Sequence, residues 1–108
     1  MAGVTRGEVY RVRLPARRGR EQSGTRYAVV VQADQLLGLS TVLVAPTSRS
    51  ALPASFRPEV EIAAERTRVM VEQLRALDVQ RLDKFAGRLG EPEMRDVDEA
   101  LELALALR

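Results

Sequence analysis

The stretch Arg26-Tyr27-Ala28-Val29-Val30-Val31-Gln32 decides the fold. Its centre is a continuous apolar run rich in β-branched residues, with no alternation between apolar and polar positions. A run this short and this valine-rich reads as a strand buried on both faces.

Upstream, Gly7 to Leu14 alternates. Glu8, Tyr10, Val12 and Leu14 fall on one face, and Val9, Arg11 and Arg13 on the other, which predicts a half-buried strand with an Arg-bearing solvent face. Pro15 stops it, and Pro15 to Thr25 reads as a long loop carrying Arg17, Arg18 and Arg20 around Gly19, closed by Gly24. Loops of this length are uncommon in compact domains and often functional.

Downstream, Asp34 to Leu39 predicts a short helical turn broken at Gly38. Ser40 to Ala45 predicts a second buried strand ended by Pro46. Thr47 to Arg57 is a polar loop containing Pro53, Glu59 to Ile62 alternates cleanly, and Val69 to Leu74 predicts another strand. A helical turn at Asp78 to Asp83 and a last strand near Phe85 to Leu89 complete the series. Six short strands separated by turn signals point to a small barrel or sandwich.

The period changes after Pro92, which is suited to the first residue of a helix, with acids following. Met94, Val97, Leu101, Ala104 and Leu105 share one helical face, and Ala100, Leu103 and Leu107 widen it. At about 100° per residue the apolar arc spans roughly 200°, twice that of an ordinary surface helix. Either the helix sinks deeply into its own domain, or it also touches a second subunit. The second reading is preferred, because a small barrel covers one side only.

The chain has 108 residues, enough for one domain spanning 1–108. It has no cysteine and no histidine, which excludes disulfides, thiol nucleophiles, zinc knuckles and every Ser-His-Asp mechanism. With no Trp, two Phe and two Tyr, a stacking platform for single-stranded nucleic acid would be thin. Carboxylate pairs occur, such as Glu59 with Glu61 and the helical Asp96, Asp98, Glu99 and Glu102; the helical set reads as a solvated face, and no spacing compels a metal site or calls for a cofactor. The apolar run around Val30 is far shorter than the ~20 residues of a membrane span, and no targeting segment is visible, so a cytoplasmic location is expected.

The net charge of +2 conceals an asymmetry. Residues 1–58 hold nine Arg against three acids, whereas residues 59–108 hold eight basic and twelve acidic residues. This suggests a basic half and an acidic half, and a basic half suits a polyanion. Sixteen of the seventeen basic residues are Arg, the better side chain for bidentate phosphate contact, although a biased base composition gives the same excess.

Two constellations stand out. Arg17, Arg18 and Arg20 precede Gln22, Ser23, Thr25 and Arg26, with glycines that permit close backbone approach. Arg grips phosphate, while Gln, Ser and amides reach sugars and bases; the bland alternative is a solvated loop. Arg26, at the junction with a buried strand, would be rigidly held and could fix a phosphate or stabilise charge developing on it. Pro46-Thr47-Ser48-Arg49-Ser50 follows a buried strand, so its hydroxyls would point to a defined place; the bland alternative is a strand-ending turn. No base stands beside either hydroxyl in sequence, so a serine nucleophile has no support.

These residues resemble the MazF/PemK toxins. The resemblance rests on Arg6-Gly7-Glu8-Val9-Tyr10, Gly19-x-Glu21-Gln22-x-Gly24-x-Arg26 leading into Val29-Val30-Val31, and Val44-Ala45-Pro46-Thr47-Ser48. It continues through Glu72-Gln73-Leu74-Arg75, Asp78, Arg81, Leu82 and Gly87-Arg88-Leu89. Each segment is weak alone; their order over nearly the whole chain is specific. The resemblance implies a mainly β, SH3-like barrel with a C-terminal helix, assembled as a homodimer. It implies a sequence-specific, metal-independent endoribonuclease, the toxin of a type II toxin–antitoxin pair. The partners implied are single-stranded RNA and an antitoxin whose acidic, disordered segment covers the basic groove.

The resemblance also assigns roles. Arg26 matches the family's catalytic arginine, and Ser48 the hydroxyl position usually held by Thr. Glu21 and Gln22 match loop residues near the RNA, and Gln73 a position at the substrate groove. Arg17, Arg18 and Arg20 lie in the substrate-contacting loop without being its motif residues, and Thr47 and Arg49 complete the expected RNA contacts. In this family the RNA's 2′-hydroxyl attacks the adjacent phosphorus, giving a 2′,3′-cyclic phosphate and a 5′-hydroxyl. Two departures bear on substrate preference and catalytic strength: Tyr27 stands where a proline commonly follows the arginine, and Leu14 where an acid commonly precedes the loop proline. Two other outcomes fit the barrel: a non-enzymatic poison of DNA gyrase, and a relative that binds RNA without cutting it. The matching Arg26 and Ser48 favour cleavage.

Overall fold

A computed structural model describes residues 3–15, 18–19, 21 and 24–107. It contains β1 (Glu8–Leu14), β2 (Gly24–Val30), β3 (Thr41–Ser48), β4 (Glu59–Ile62), β5 (Glu65–Val69), β6 (Arg75–Asp78), β7 (Leu82–Arg88) and α1 (Glu91–Ala104). Short 3-10 turns occupy Asp34–Leu36, Val71–Gln73 and Val79–Arg81. The strands form an antiparallel sheet in the order β4-β5-β3-β2-β1-β7, with β6 also paired to β3. The sheet curls into a half barrel, closed on one side by α1.

β2 sits between β1 and β3, as its continuous apolar run requires. Ala28 and Val30 enter a core with Tyr10, Val12, Leu14, Val42, Val44, Leu77 and Leu82. Val29 and Val31 enter the opposite core with Val9, Ala45, Val60, Ile62, Val69, Leu89, Val97 and Ala100. The alternation in β1 places Glu8, Tyr10, Val12 and Leu14 inside. Val9, assigned to the solvent face with Arg11 and Arg13, is buried as well, because it shares the second core with Val97 and Ala100 of α1. Gly7 has φ +92°, and a Cβ there would stand 3.4 Å from Met94 of α1. That is ordinary van der Waals contact, so glycine is required here by the positive φ of the turn rather than by the packing of the helix.

Three sequence expectations are corrected. β3 does not stop at Pro46; it runs to Ser48. Pro46 falls where the neighbour on one edge changes from β6, paired with Thr41–Val44, to β5, paired with Thr47–Ser48. A break in the ladder tolerates a residue without an N–H, and the Pro46 carbonyl still accepts from the Met70 N–H at 2.8 Å. The segment expected as one strand over Val69–Leu74 is instead the last residue of β5 followed by a 3-10 turn at Val71–Gln73, and β6 starts only at Arg75. Two strands, β5 and β6, thus stand where one was expected, making seven rather than six, and the last begins at Leu82 rather than near Phe85.

α1 begins one residue before Pro92, with Gly90 as its N-cap. The Glu93 carboxylate accepts from the Gly90 N–H at 3.1 Å and, through its other oxygen, from the Glu61 N–H on β4 at 3.0 Å. One side chain thus caps the helix and occupies a donor on the sheet's edge strand. The helix ends in a Schellman turn: Leu107 N–H donates to the Glu102 carbonyl at 2.8 Å, with Ala106 at φ 56°. Val97 and Ala100 are buried, whereas Leu103, Leu105 and Leu107 are more than half exposed. The apolar arc therefore exceeds what the chain's own sheet covers.

The basic and acidic halves of the sequence do not form separate halves in space. Arg6 pairs with Asp98, Arg11 with Asp83, Arg49 with Glu65 and Arg57 with Glu72. Antiparallel pairing of early and late strands brings the two compositions into contact, so charge is patterned by ion pairs. No helix among the described residues is long and apolar enough to cross a membrane.

Candidate functional site

A cleft of about 280 Å³ opens between two walls. One wall is built by β2 and β3, with Thr25, Arg26 and Tyr27 facing Thr47, Ser48 and Arg49. The other is the β4–β5 hairpin, which supplies Ile62, Glu65 and Thr67, while Arg11 of β1 completes the lining.

The first wall is fixed from within the sheet. Ala28 of β2 lies opposite Pro46 of β3, so Tyr27 and Thr47 meet across the ladder. The Thr47 hydroxyl donates to the Tyr27 carbonyl at 3.0 Å. That bond locks the two strands together and uses the hydroxyl's only proton, so Thr47 can offer a ligand lone pairs alone. Ser48 is 5% exposed, and its Oγ lies 3.3 Å from that of Ser50. A nearly immobile hydroxyl with a weak local partner is suited to donate to an entering oxygen. Arg26 is half-buried on β2, opposite Val12 of β1.

Charge in the cleft is strongly biased. Arg11, Arg26 and Arg49 line it against a single carboxylate, Glu65. Arg49, past the end of β3, reaches back to an ion pair with Glu65 at the start of β5. Arg11 is held from outside by Asp83 of β7 at 3.1 Å. Among the described residues no group of three or more acidic side chains converges to hold a metal ion.

The sequence-derived residues divide between places. Arg26, Thr47, Ser48 and Arg49 come together in this cleft. Glu21 and Gln73 meet in a separate, more open groove with Glu72, Leu74 and Arg75, and Gln73 stands on the 3-10 turn before β6 rather than on a strand. Arg18 is exposed on the loop, where its backbone N–H donates to the Glu21 carboxylate at 3.0 Å. Arg17, Arg20 and Gln22 lie outside the described residues.

Four cleft residues escaped the sequence reading: Arg11, Ile62, Glu65 and Thr67. Arg11 falls on the strand face that the alternation assigns to solvent, and it is exposed there. The other three belong to a hairpin whose turn, Ala63-Ala64, carries no Gly, Asn or Pro to mark it. The available signal was alternation, with Thr67 and Val69 in step and Arg66 and Arg68 between them.

Comparison with known proteins identifies the family and the fold. The family described as PemK-like, MazF-like toxin of type II toxin–antitoxin system matches residues 5–105. Endoribonuclease EndoA of Bacillus subtilis is 37% identical over 111 aligned positions, covering 96% of this chain and 96% of that protein. Endoribonuclease MazF of Staphylococcus epidermidis is 34% identical over 111 positions, covering 96% and 92%. Among solved structures, a mycobacterial endoribonuclease in complex with its cognate antitoxin superimposes with a TM-score of 0.84, covering 98% of each chain at 18% identity. MazF from Deinococcus radiodurans gives 0.83, covering 95% and 96% at 19% identity. At such identities the structural likeness speaks for the fold, while the extended sequence matches speak for kinship. With the ordered motifs, the curled sheet and the Arg26–Ser48 cleft on one chain, this protein belongs to the PemK-like, MazF-like family of type II toxin–antitoxin toxins.

Proposed function

We propose that this chain, acting as one domain, is an endoribonuclease that cuts single-stranded RNA within a short recognition sequence. The observation that carries the proposal is the convergence of Arg26 and Ser48 in one cleft rich in arginine. The relatives from Bacillus subtilis and Staphylococcus epidermidis are endoribonucleases by name, which supports it.

In the proposed reaction the RNA's 2′-oxygen attacks its own phosphorus, and the bond to the 5′-oxygen breaks. The substrate brings its nucleophile, so the protein must orient the phosphate and stabilise the charge that develops on it. Arg26 and Ser48 serve that purpose as preorganised donors to the phosphoryl oxygens. A guanidinium offers donors and no acceptor, so the role of Arg26 is electrostatic. Arg49 and Thr47 contact RNA at the cleft. Glu21, Gln73 and the loop residues Arg17, Arg18, Arg20 and Gln22 contact flanking nucleotides. No metal or cofactor is required.

The chain is proposed to act in the cytoplasm as a homodimer. The exposed Leu103, Leu105 and Leu107 on one end of α1 support a second copy covering that end. An antitoxin with an acidic, disordered segment is the proposed inhibitor, since such a segment matches a cleft lined by Arg11, Arg26 and Arg49. Structures of related toxins with their antitoxins are known from mycobacteria and from Deinococcus radiodurans.

The test is incubation of the purified protein with RNA in excess EDTA. The proposal expects discrete fragments from the wild type and intact RNA from Arg26→Ala. Intact RNA from both proteins, with inhibition of gyrase supercoiling, would overturn it.

A further inference from the structure

The site described so far stabilises charge, yet attack by a 2′-hydroxyl also releases a proton. The chain has no histidine to take it, and guanidinium groups cannot. Among the described residues lining the cleft, Glu65 alone carries a carboxylate. We infer that Glu65 is the general base of this site, an inference that rests on the ribonuclease reading above.

Three observations support the assignment. Glu65 is accessible, 55% exposed at its side chain, and anchored by the ion pair with Arg49. The pair fixes the position of the carboxylate at the cleft's rim. Second, Glu65 opens β5 directly after a two-residue turn and pairs across the hairpin with Ile62, itself buried. Its backbone is therefore set by the ladder rather than by a loose loop. Third, Thr67 follows on the same face of β5. Thr67 is only 6% exposed and lines the cleft, yet its hydroxyl makes no side-chain hydrogen bond among the described residues. A buried hydroxyl without a partner, beside the carboxylate, fits a wall that meets polar substrate atoms.

The step balances as follows. The 2′-hydroxyl proton passes to the Glu65 carboxylate as the bond from the 2′-oxygen to phosphorus forms. The bond from phosphorus to the 5′-oxygen breaks with its electron pair on that oxygen, which takes a proton from water. Glu65 then returns its proton to solvent. Arg49, freed from Glu65 as the carboxylate is protonated, becomes available to the phosphate.

The experiment compares wild type, Glu65→Gln and Glu65→Asp on one cleavable RNA. It also measures their affinity for the same RNA carrying a 2′-O-methyl group, which has no proton to lose. General-base catalysis is worth about 10²–10⁴-fold, so E65Q is expected to lose that much in kcat. Its affinity for the methylated RNA should be unchanged or tighter, because a negative charge has been removed from a phosphate site. E65D, which keeps a carboxylate, should recover part of the rate. A kcat for E65Q within threefold of wild type would overturn the assignment while leaving the ribonuclease reading intact. Parallel losses of kcat and affinity would also overturn it, making Glu65 a docking residue. An inactive wild type would instead defeat the ribonuclease reading itself, and the base with it.

Discussion

The two walls of the cleft are built from different kinds of structure. The β2–β3 wall lies in the middle of the sheet, with β1 on one side and β5 and β6 on the other. Its cleft-lining side chains project from a backbone held by ladder bonds, by the Thr47 to Tyr27 bond and by both cores. The β4–β5 wall is a peripheral hairpin. Its β4 edge is guarded by Glu93, and its turn places Ala63 and Ala64 at φ 52° and 64°. Such turns favour Asn-Gly, and alanine in the left-handed region costs about 1 kcal/mol or more. The site thus joins a rigid wall presenting donors to a strained, peripheral wall presenting an acceptor. Stabilising a phosphate requires donors that do not move, whereas taking a proton requires only reach.

This contrast can be broken by mutation, and the largest effect belongs to the rigid wall. Arg26→Ala removes a preorganised charge from the reacting phosphate and should lower kcat by about 10³-fold in a fragment-release assay. Ser48→Ala should lower kcat by about 10–100-fold, the range for one hydrogen bond to a charged group. Ser48→Thr should keep the activity, since it retains the hydroxyl and restrains its rotamer. Thr47→Val should act mainly on stability, by about 1 kcal/mol in denaturant unfolding, because its hydroxyl serves the Tyr27 carbonyl. The smallest effect is on the peripheral wall. Ala64→Gly should raise stability by about 0.5–1 kcal/mol by relieving the left-handed turn. If Ala64→Gly destabilises the protein, the hairpin is not strained as described.

The same contrast explains what was legible in the sequence. The central strand announced itself, because Ala28 to Val31 must be buried on both faces, and both cores prove to meet there. Arg26 and Ser48 were visible as flanks of buried strands, positions where a side chain is rigidly aimed. The β4–β5 hairpin was half hidden. Glu59 to Ile62 alternates, but Glu65 to Val69 is mostly charged and polar, and Ala63-Ala64 gives no turn signal. Pro46 misled for the opposite reason, as a strong stop signal placed at a gap in the ladder. The charge halves misled because strand pairing is nonlocal: Arg11 meets Asp83 only once β7 has returned beside β1. The width of the apolar arc of α1 was legible from its spacing, and Leu103, Leu105 and Leu107 do lie outside the chain's own core.

The central claim is that a cleft held by Arg26 and Ser48 cleaves RNA by attack of the RNA's own 2′-hydroxyl. It is tested most directly by mapping RNA 5′-hydroxyl ends after brief expression of wild type and Arg26→Ala. The account predicts new 5′-hydroxyl ends at one short recurring sequence for the wild type, matched by 2′,3′-cyclic phosphate on the upstream fragments, and none for the variant. Ends carrying 5′-phosphate, or identical ends from both proteins, would contradict it.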